Sequence, residues 1–181
     1  MVASPVTSPL VPITLVLGGA RSGKSRLAEG LLAEAPRRTY LATAEAGDAE
    51  MAARIADHRA RRGPGWTTLE EPLELVPALA VATAGGGAVL VDCLTLWLAN
   101  LLGAGRDAAA EGDRLAAALP GLAGPVVLVS NEVGLGIVPD NALARAFRDQ
   151  AGRLHQAVAA VAQRVLLVAA GLPLTLKDQP A

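Results

Sequence analysis

The chain has 181 residues with a formal net charge of −1, and 52% of the residues are hydrophobic but only 2% aromatic. This length suits one domain whose core is built from Leu, Val and Ala, and the near-neutral charge offers no basic surface for nucleic acid. Cys93 is the only cysteine, which excludes an intrachain disulfide and fits a reducing compartment.

The first half of the chain is predicted to alternate strands and helices. Residues 1–12 are rich in Ser, Pro and Val, and we expect them to form a flexible N-terminal extension. Pro36 ends the first helix, and Pro77 predicts a kink in the third. In chain order, we predict strands at 13–17, 39–43 and 66–69, and helices at 23–35, 48–62 and 72–83.

The second half continues this alternation without a linker that would divide the chain. Continuous apolar strands between helices predict a mostly parallel sheet with helices on both faces, so we expect residues 13–181 to form a single domain. The predicted strands are 88–93, 125–130, 164–169 and 172–177, and the predicted helices are 94–102, 107–119 and 141–161.

No part of the sequence predicts a membrane span. The most apolar region, residues 88–102, is interrupted by Asp92, Thr95 and Asn100, and it falls short of the roughly 18 apolar residues that a span needs. The N-terminus has no basic region before its apolar run, and a signal peptide there would remove the glycine-rich motif that follows. We therefore expect a cytoplasmic protein without membrane insertion.

The sequence at 18–25 reads Gly-Gly-Ala-Arg-Ser-Gly-Lys-Ser, which matches the phosphate-binding loop motif between a predicted strand and a predicted helix. Glycines let backbone N–H groups point at phosphate oxygens, and the helix N-terminus adds more donors. Lys24 can reach the β- and γ-phosphates, and the Ser25 hydroxyl can bind Mg²⁺. The alternative is a glycine turn with a chance lysine.

Polar residues follow several predicted strands, where ligands bind in this class of sheet. Asp92 ends one strand and can hold Mg²⁺ beside Ser25, or it can cap the next helix. Thr43 and the pair Asn131-Glu132 end two others. Cys93 has no basic neighbour in sequence, so we expect it to be buried and not reactive.

Two arginine-containing segments stay open to more than one interpretation. His58 shares a helix face with Met51 and Ile55, which is typical of a packed histidine, although histidine can act as a nucleophile. The arginines that follow, Arg59, Arg61 and Arg62, form either a solvated face or a phosphate clamp. Further along, Arg145 and Arg148 either reach phosphates or pair with Asp140 and Asp149.

Three segments in this order resemble the bifunctional adenosylcobinamide kinase/adenosylcobinamide-phosphate guanylyltransferase family of cobalamin biosynthesis. They are residues 18–26, residues 50–62, and residues 130–139 with 145–152 behind them. The sequence Asn-Glu-Val-Gly-Leu-Gly-Ile-Val-Pro at 131–139 is the most specific, and the resemblance extends over residues 13–177.

The resemblance implies a RecA-like P-loop NTPase domain that acts in two steps. A nucleoside triphosphate, ATP or GTP, first phosphorylates adenosylcobinamide. GMP from GTP is then transferred to the product through a GMP-histidine intermediate, which gives adenosylcobinamide-GDP and pyrophosphate. The matching histidine is His58. The resemblance also implies a corrinoid substrate and assembly into a homo-oligomer.

Carried over by position, the resemblance implies catalytic roles for His58 and Lys24 and a Mg²⁺ site at Ser25 and Asp92. The implied nucleotide-binding residues are Gly18, Gly19, Ala20, Arg21, Ser22, Gly23, Lys24, Ser25, Thr43, Ala44, Glu45, Arg59, Ala60, Arg61, Arg62, Glu70 and Asp92.

This chain departs from the family pattern at two places. His155-Gln156 stands where Asn-Gln is expected, and Asp92 stands where some members carry Glu. Two other functions remain open on the sequence: a P-loop kinase for another small alcohol, or a non-catalytic GTP-binding switch module. Covalent nucleotide on the protein would separate the first function from both others.

Overall fold

A computed structural model describes residues 10–44 and 65–179 of the chain. The strands are β1 (Ile13–Gly18), β2 (Arg38–Ala42), β3 (Trp66–Glu70), β4 (Ala88–Asp92), β5 (Val126–Asn131), β6 (Arg164–Ala169) and β7 (Leu172–Asp178). The helices are α1 (Lys24–Leu31), α2 (Leu75–Thr83), α3 (Leu94–Gly103), α4 (Ala108–Ala118) and α5 (Ala142–Val161). The predicted helix 48–62 lies outside the described residues.

These strands form one sheet in the order β3-β2-β4-β5-β1-β6-β7. All neighbours pair in parallel except β6 and β7, which are antiparallel. The carboxyl ends of β1, β2, β4 and β5 therefore meet at one edge, where Gly18 pairs with Asn131 and Ala42 with Asp92. The predicted mostly parallel sheet is confirmed.

The sheet is covered on both faces because its strands are apolar on both sides. On β1 and β5, alternate residues enter two separate buried clusters. One cluster contains residues of α2, α3, α4 and α5, such as Leu79, Leu101 and Val158. The other contains Ala28 and Leu32, in α1 and just after it. Each buried leucine contributes roughly 1.5–3 kcal/mol of transfer free energy.

Two predictions about helix ends and bends were wrong. Helix α1 ends at Leu31 and not at residue 35, because Gly30 has a low helix propensity and Pro36 disfavours a helical residue before it. Helix α2 begins only at Leu75, because the Glu71 carboxylate accepts hydrogen bonds from Leu73 N and Glu74 N in a preceding turn. Pro77 therefore falls in the first helical turn, where no N–H is needed.

Two other helices begin at side-chain caps. Asp107 Oδ1 accepts from Ala109 N and Ala110 N, and Asn141 Oδ1 accepts from Ala144 N. Such caps satisfy N–H groups that have no partner inside the helix. Within residues 10–44 and 65–179, the helices are all too short or too polar to cross a membrane.

Candidate nucleotide-binding site

The loop between β1 and α1 has a backbone path that requires glycine at two positions. Gly23 has a φ of 94°, and a Cβ there would lie 3.2 Å from Gly171 Cα. A Cβ on Gly18 would lie 2.5 Å from Ser22 Oγ and 2.6 Å from Val168 O. The loop is also bound to the β6–β7 turn, since Gly171 N donates to Ser22 O at 2.8 Å. These contacts restrict the path of the loop backbone.

The exposed residues of this loop are those that can face a phosphate. Gly19, Ala20 and Arg21 are exposed, whereas the Ser22 side chain is buried against Gly18. Ser22 can thus contact a phosphate through its backbone and not through its hydroxyl. The first turn of α1 follows directly and presents N–H groups that have no acceptor inside the helix.

Lys24 is buried although it is charged, and its Nζ donates to Gly19 O at 3.0 Å. Burial lowers the pKa of Lys24, and the charge of Asp92 opposes this shift. The ammonium is therefore held inside the loop in front of its backbone donors, near the acid of β4. This position suits a cation that contacts a bound phosphate.

Asp92 lies at the end of β4, half-buried, where Tyr40 Oη donates to its Oδ2 at 3.0 Å. Its carboxylate and the Ser25 hydroxyl supply the hard oxygen ligands that Mg²⁺ prefers, with phosphates and water completing the shell. Among the described residues, no group of three or more His, Cys, Asp or Glu forms a metal cluster. The donor set fits a Mg²⁺ ion that arrives with a nucleotide.

Thr43 links the ends of β2 and β4. Its Oγ1 donates to Cys93 O at 2.8 Å and accepts from Cys93 N at 2.9 Å, while its carbonyl accepts from Asn100 Nδ2 at 2.7 Å. The Thr43 side chain is thus fully used in the structure and lies buried, with Ala44 half-buried after it. These contacts hold the ends of β2 and β4 together, and the predicted nucleotide contact of Thr43 stays a prediction.

Cys93 is buried, as expected from the sequence. Burial raises the pKa of the Cys93 thiol, and the charge of Asp92 raises it further. The sulfur lies 3.1 Å from Thr95 Oγ1. This environment is that of a structural thiol and not of a reactive one.

The segment after β5 contacts the phosphate-binding loop directly. Glu132 N donates to Gly18 O at 3.0 Å, and Asn131 Nδ2 donates to Thr95 Oγ1 at 2.8 Å. Strand β5 lies between β1 and β4, so this segment separates the loop from Asp92 along the sheet edge. The polar strand ends are brought together as the parallel order predicts.

The remaining predicted site residues divide into two groups. Glu70 ends β3, the edge strand, and is exposed. The other group lies outside the described residues and comprises Glu45, His58, Arg59, Ala60, Arg61 and Arg62. The roles given to this group stay predictions.

His155 is buried on α5, and its Nε2 lies 2.7 Å from Ser130 Oγ. Burial lowers the pKa of His155, and the charge of Glu132 opposes the shift. The ring packs against a fully buried serine behind the strand end, which is a structural environment.

The structure gives contacts for the two arginines whose roles the sequence left open. Arg145 donates to the carbonyl oxygens of Pro139 and Asp140, and Arg148 bonds the carboxylate of Asp149. The predicted pairing is confirmed for Arg148 and Asp149, whereas Arg145 binds backbone and not the Asp140 carboxylate. Arg145 thereby connects α5 to the end of the loop that follows Glu132.

Three residues that hold the site were missed by sequence reasoning: Tyr40, Thr95 and Asn100. Each acts on a strand end that is distant in sequence, so its role depends on strand register or helix packing. The sequence predicted a strand around Tyr40 but not that its hydroxyl reaches Asp92. Thr95 and Asn100 stood out only as polar breaks in an apolar helix.

An apolar cavity of about 720 Å³ begins one residue after Glu132. It lies between the second half of α3, the loop after β5 and the first turns of α5. Leu102, Val133 and Phe147 are among its lining residues. The same loop exposes Leu135 and Ile137, at 83% and 98% of their surface.

Comparison with known proteins matches residues 14–176 to the family model described as cobinamide kinase / cobinamide phosphate guanyltransferase. The bifunctional adenosylcobalamin biosynthesis protein CobP of Pseudomonas aeruginosa is 54% identical over 169 residues, which cover 92% of this chain and 98% of that protein. The bifunctional adenosylcobalamin biosynthesis protein CobU of Salmonella typhimurium is 43% identical over 178 residues, with 90% and 98% covered.

Solved structures support the fold alone. The P4 protein of bacteriophage phi6 in complex with ADP is 19% identical with a TM-score of 0.52, and the match covers 90% of this chain and 54% of that one. An ATPase from the type III secretion system of pathogenic bacteria is 11% identical with a TM-score of 0.54, over 92% and 57%. The fold is that of a RecA-like P-loop NTPase, and the chain belongs to the cobinamide kinase / cobinamide phosphate guanyltransferase family.

Proposed function

We propose that the chain phosphorylates adenosylcobinamide with a nucleoside triphosphate and then transfers GMP from GTP to the product, which gives adenosylcobinamide-GDP and pyrophosphate. The observation that carries this proposal is the phosphate-binding loop, with Lys24 buried inside it and hydrogen-bonded to Gly19 O, in a chain of this family. Both steps need a bound triphosphate, and one loop can serve both.

In the kinase step, the backbone donors of residues 18–25 and the Lys24 ammonium hold the β- and γ-phosphates. Ser25 and Asp92 would hold Mg²⁺, which neutralises charge on the transferring phosphoryl group. Tyr40 orients the Asp92 carboxylate through its hydrogen bond. Thr43 and Asn100 fix the neighbouring strand end.

In the guanylyl step, an imidazole nitrogen of His58 attacks the α-phosphorus of GTP and pyrophosphate leaves. The phosphate of adenosylcobinamide phosphate then attacks this phosphorus, and the bond to His58 breaks. Arg59, Arg61 and Arg62 are suited to neutralise phosphate oxygens in both events. The roles of these four residues rest on the resemblance of residues 50–62 to the family.

The test is turnover of adenosylcobinamide with ATP or GTP and Mg²⁺, followed by mass spectrometry of the corrinoid products. We expect the phosphate derivative first and the GDP derivative when GTP is present, with neither formed by Lys24→Ala. A phosphorylated product without a GDP derivative would mean that the chain is a kinase without guanylyltransferase activity. Nucleotide binding without any product would leave a GTP-binding switch and contradict the proposal.

A homo-oligomer and a cytoplasmic location are also part of the proposal. Support for the oligomer comes from β7, a strand at the sheet edge that exposes Leu172, Leu174 and Leu176 on alternate positions. Such an apolar edge favours pairing with a second copy. Light scattering after size exclusion tests this, with Leu174→Lys expected to lower the measured mass.

A further inference from the structure

Glu132 is not among the residues proposed to bind nucleotide or Mg²⁺, yet its backbone is hydrogen-bonded to the phosphate-binding loop. Its N–H donates to Gly18 O at 3.0 Å, and Lys24 Nζ donates to Gly19 O at 3.0 Å. Two successive carbonyls of the loop thus hold the Glu132 backbone and the ammonium that would contact the phosphates. The Glu132 backbone therefore lies against the loop that would hold either triphosphate.

The Glu132 carboxylate is oriented by its own loop, and its charge acts on the buried His155 ring. Its Oε1 accepts a hydrogen bond from Gly134 N, and the side chain is half-buried. In the part of the chain that the structure describes, no Lys or Arg forms an ion pair with it. An oriented carboxylate with a free oxygen can accept a proton from a hydroxyl group.

The next residue, Val133, lines the cavity between α3 and α5. Its apolar lining and its volume of about 720 Å³ suit part of a large organic acceptor and not a second nucleotide. Glu132 therefore stands where the phosphate-binding loop and this cavity meet. A hydroxyl on an acceptor in the cavity would face the carboxylate and the γ-phosphate together.

We propose that Glu132 is the general base of the kinase step and that the corrinoid acceptor lies in the cavity beginning at Val133. The acceptor oxygen bonds to the γ-phosphorus while the bond from that phosphorus to the β–γ bridging oxygen breaks. The nucleoside diphosphate leaves, and the hydroxyl proton passes to Glu132 and then to solvent. This inference rests on the proposed function, and it concerns only the first of the two reactions.

The test measures the two reactions separately in the full chain. Glu132→Gln keeps the size of the side chain and removes the proton acceptor, so phosphorylation of adenosylcobinamide should fall by about 100-fold or more. Guanylylation of preformed adenosylcobinamide phosphate should stay within about threefold. Glu71→Gln is the matched control, because Glu71 follows the end of β3 and only caps a turn. It should change neither rate.

Unchanged phosphorylation by Glu132→Gln, or an equal loss of both rates, would overturn the inference. If that variant does not fold, Glu132→Asp decides: a displaced carboxylate should slow phosphorylation by about tenfold with normal guanylylation, and an unchanged rate overturns the inference. A wild type that forms neither product refutes the proposed function itself. An active wild type with an equally active Glu132→Gln refutes only the role of Glu132.

Discussion

The hydroxyl of Tyr40 donates a hydrogen bond of 3.0 Å to Oδ2 of Asp92, which joins a buried ring of β2 to the acid at the end of β4. This bond orients the Asp92 carboxylate. The metal site proposed for Ser25 and Asp92 therefore depends on a residue that would not itself touch the ion.

Tyr40→Phe should raise the Mg²⁺ concentration needed for half-maximal activity by about tenfold, because the carboxylate is no longer oriented. The free energy of unfolding should fall by only about 1 kcal/mol, since one hydrogen bond is lost and the ring remains. A Mg²⁺ titration at saturating nucleotide measures the first effect and urea unfolding the second. An unchanged Mg²⁺ requirement would show that this orientation is unimportant.

Lys24→Ala should weaken binding of ATP and GTP by about 100-fold, because a charge-assisted contact to two phosphates is lost. Burial lowers the pKa of Lys24, which means that the fold does not favour the charged ammonium at this position. The variant should therefore unfold at the same urea concentration as the wild type or at a higher one. Calorimetric titration with each nucleotide gives the affinities; wild-type affinity in the variant would refute the role of Lys24.

His155 should make the stability of the chain depend on pH. Burial lowers its pKa from the ordinary value of 6.5, so the unfolded chain binds more protons than the folded chain once the pH falls through that value. This contribution to stability is complete above the unfolded pKa and is lost as the pH falls toward the folded one.

In His155→Asn, the free energy of unfolding should fall less between pH values of about 7 and 5 than in the wild type. Urea unfolding of both proteins at the two pH values provides the measurement. Equal losses would mean that other groups cause the pH dependence. Labelling of the protein by GTP should be unaffected, because His155 lies behind the strand end.

Ala99→Trp should raise the KM for adenosylcobinamide by about tenfold and leave nucleotide affinity unchanged. Ala99 is an exposed residue of α3 that lines the cavity, so an indole there takes space from an acceptor without disturbing the core. Ala117→Trp on α4 is a matched control, exposed but not among the cavity-lining residues. Equal KM values in both variants would place the acceptor elsewhere.

The phosphate-binding loop could be predicted because its motif is local in sequence and its neighbours are a strand and a helix. The grouping of Thr43, Asp92 and Asn131 could also be predicted, because parallel strands bring their carboxyl ends to one edge. The contacts between these residues could not be predicted from the sequence. Tyr40 reaches Asp92 through the register of β2 against β4, which no local pattern contains.

The ends of helices were also only partly predictable from the sequence. The apolar pattern around α1 continues past Leu31, but Gly30 and Pro36 together end the helix earlier than the pattern predicts. The position of Glu132 beside Gly18 likewise follows from β5 lying next to β1, a strand order that the alternation of elements does not specify.

The most direct test of the account is covalent labelling with GTP that carries its label in the α-phosphate. The protein is incubated with this GTP and Mg²⁺, denatured and counted, alongside His58→Ala and His155→Ala. We expect acid-labile, base-stable label on the wild type and on His155→Ala, and none on His58→Ala. Absence of label from a wild type that binds GTP, or loss of label only in His155→Ala, would contradict it.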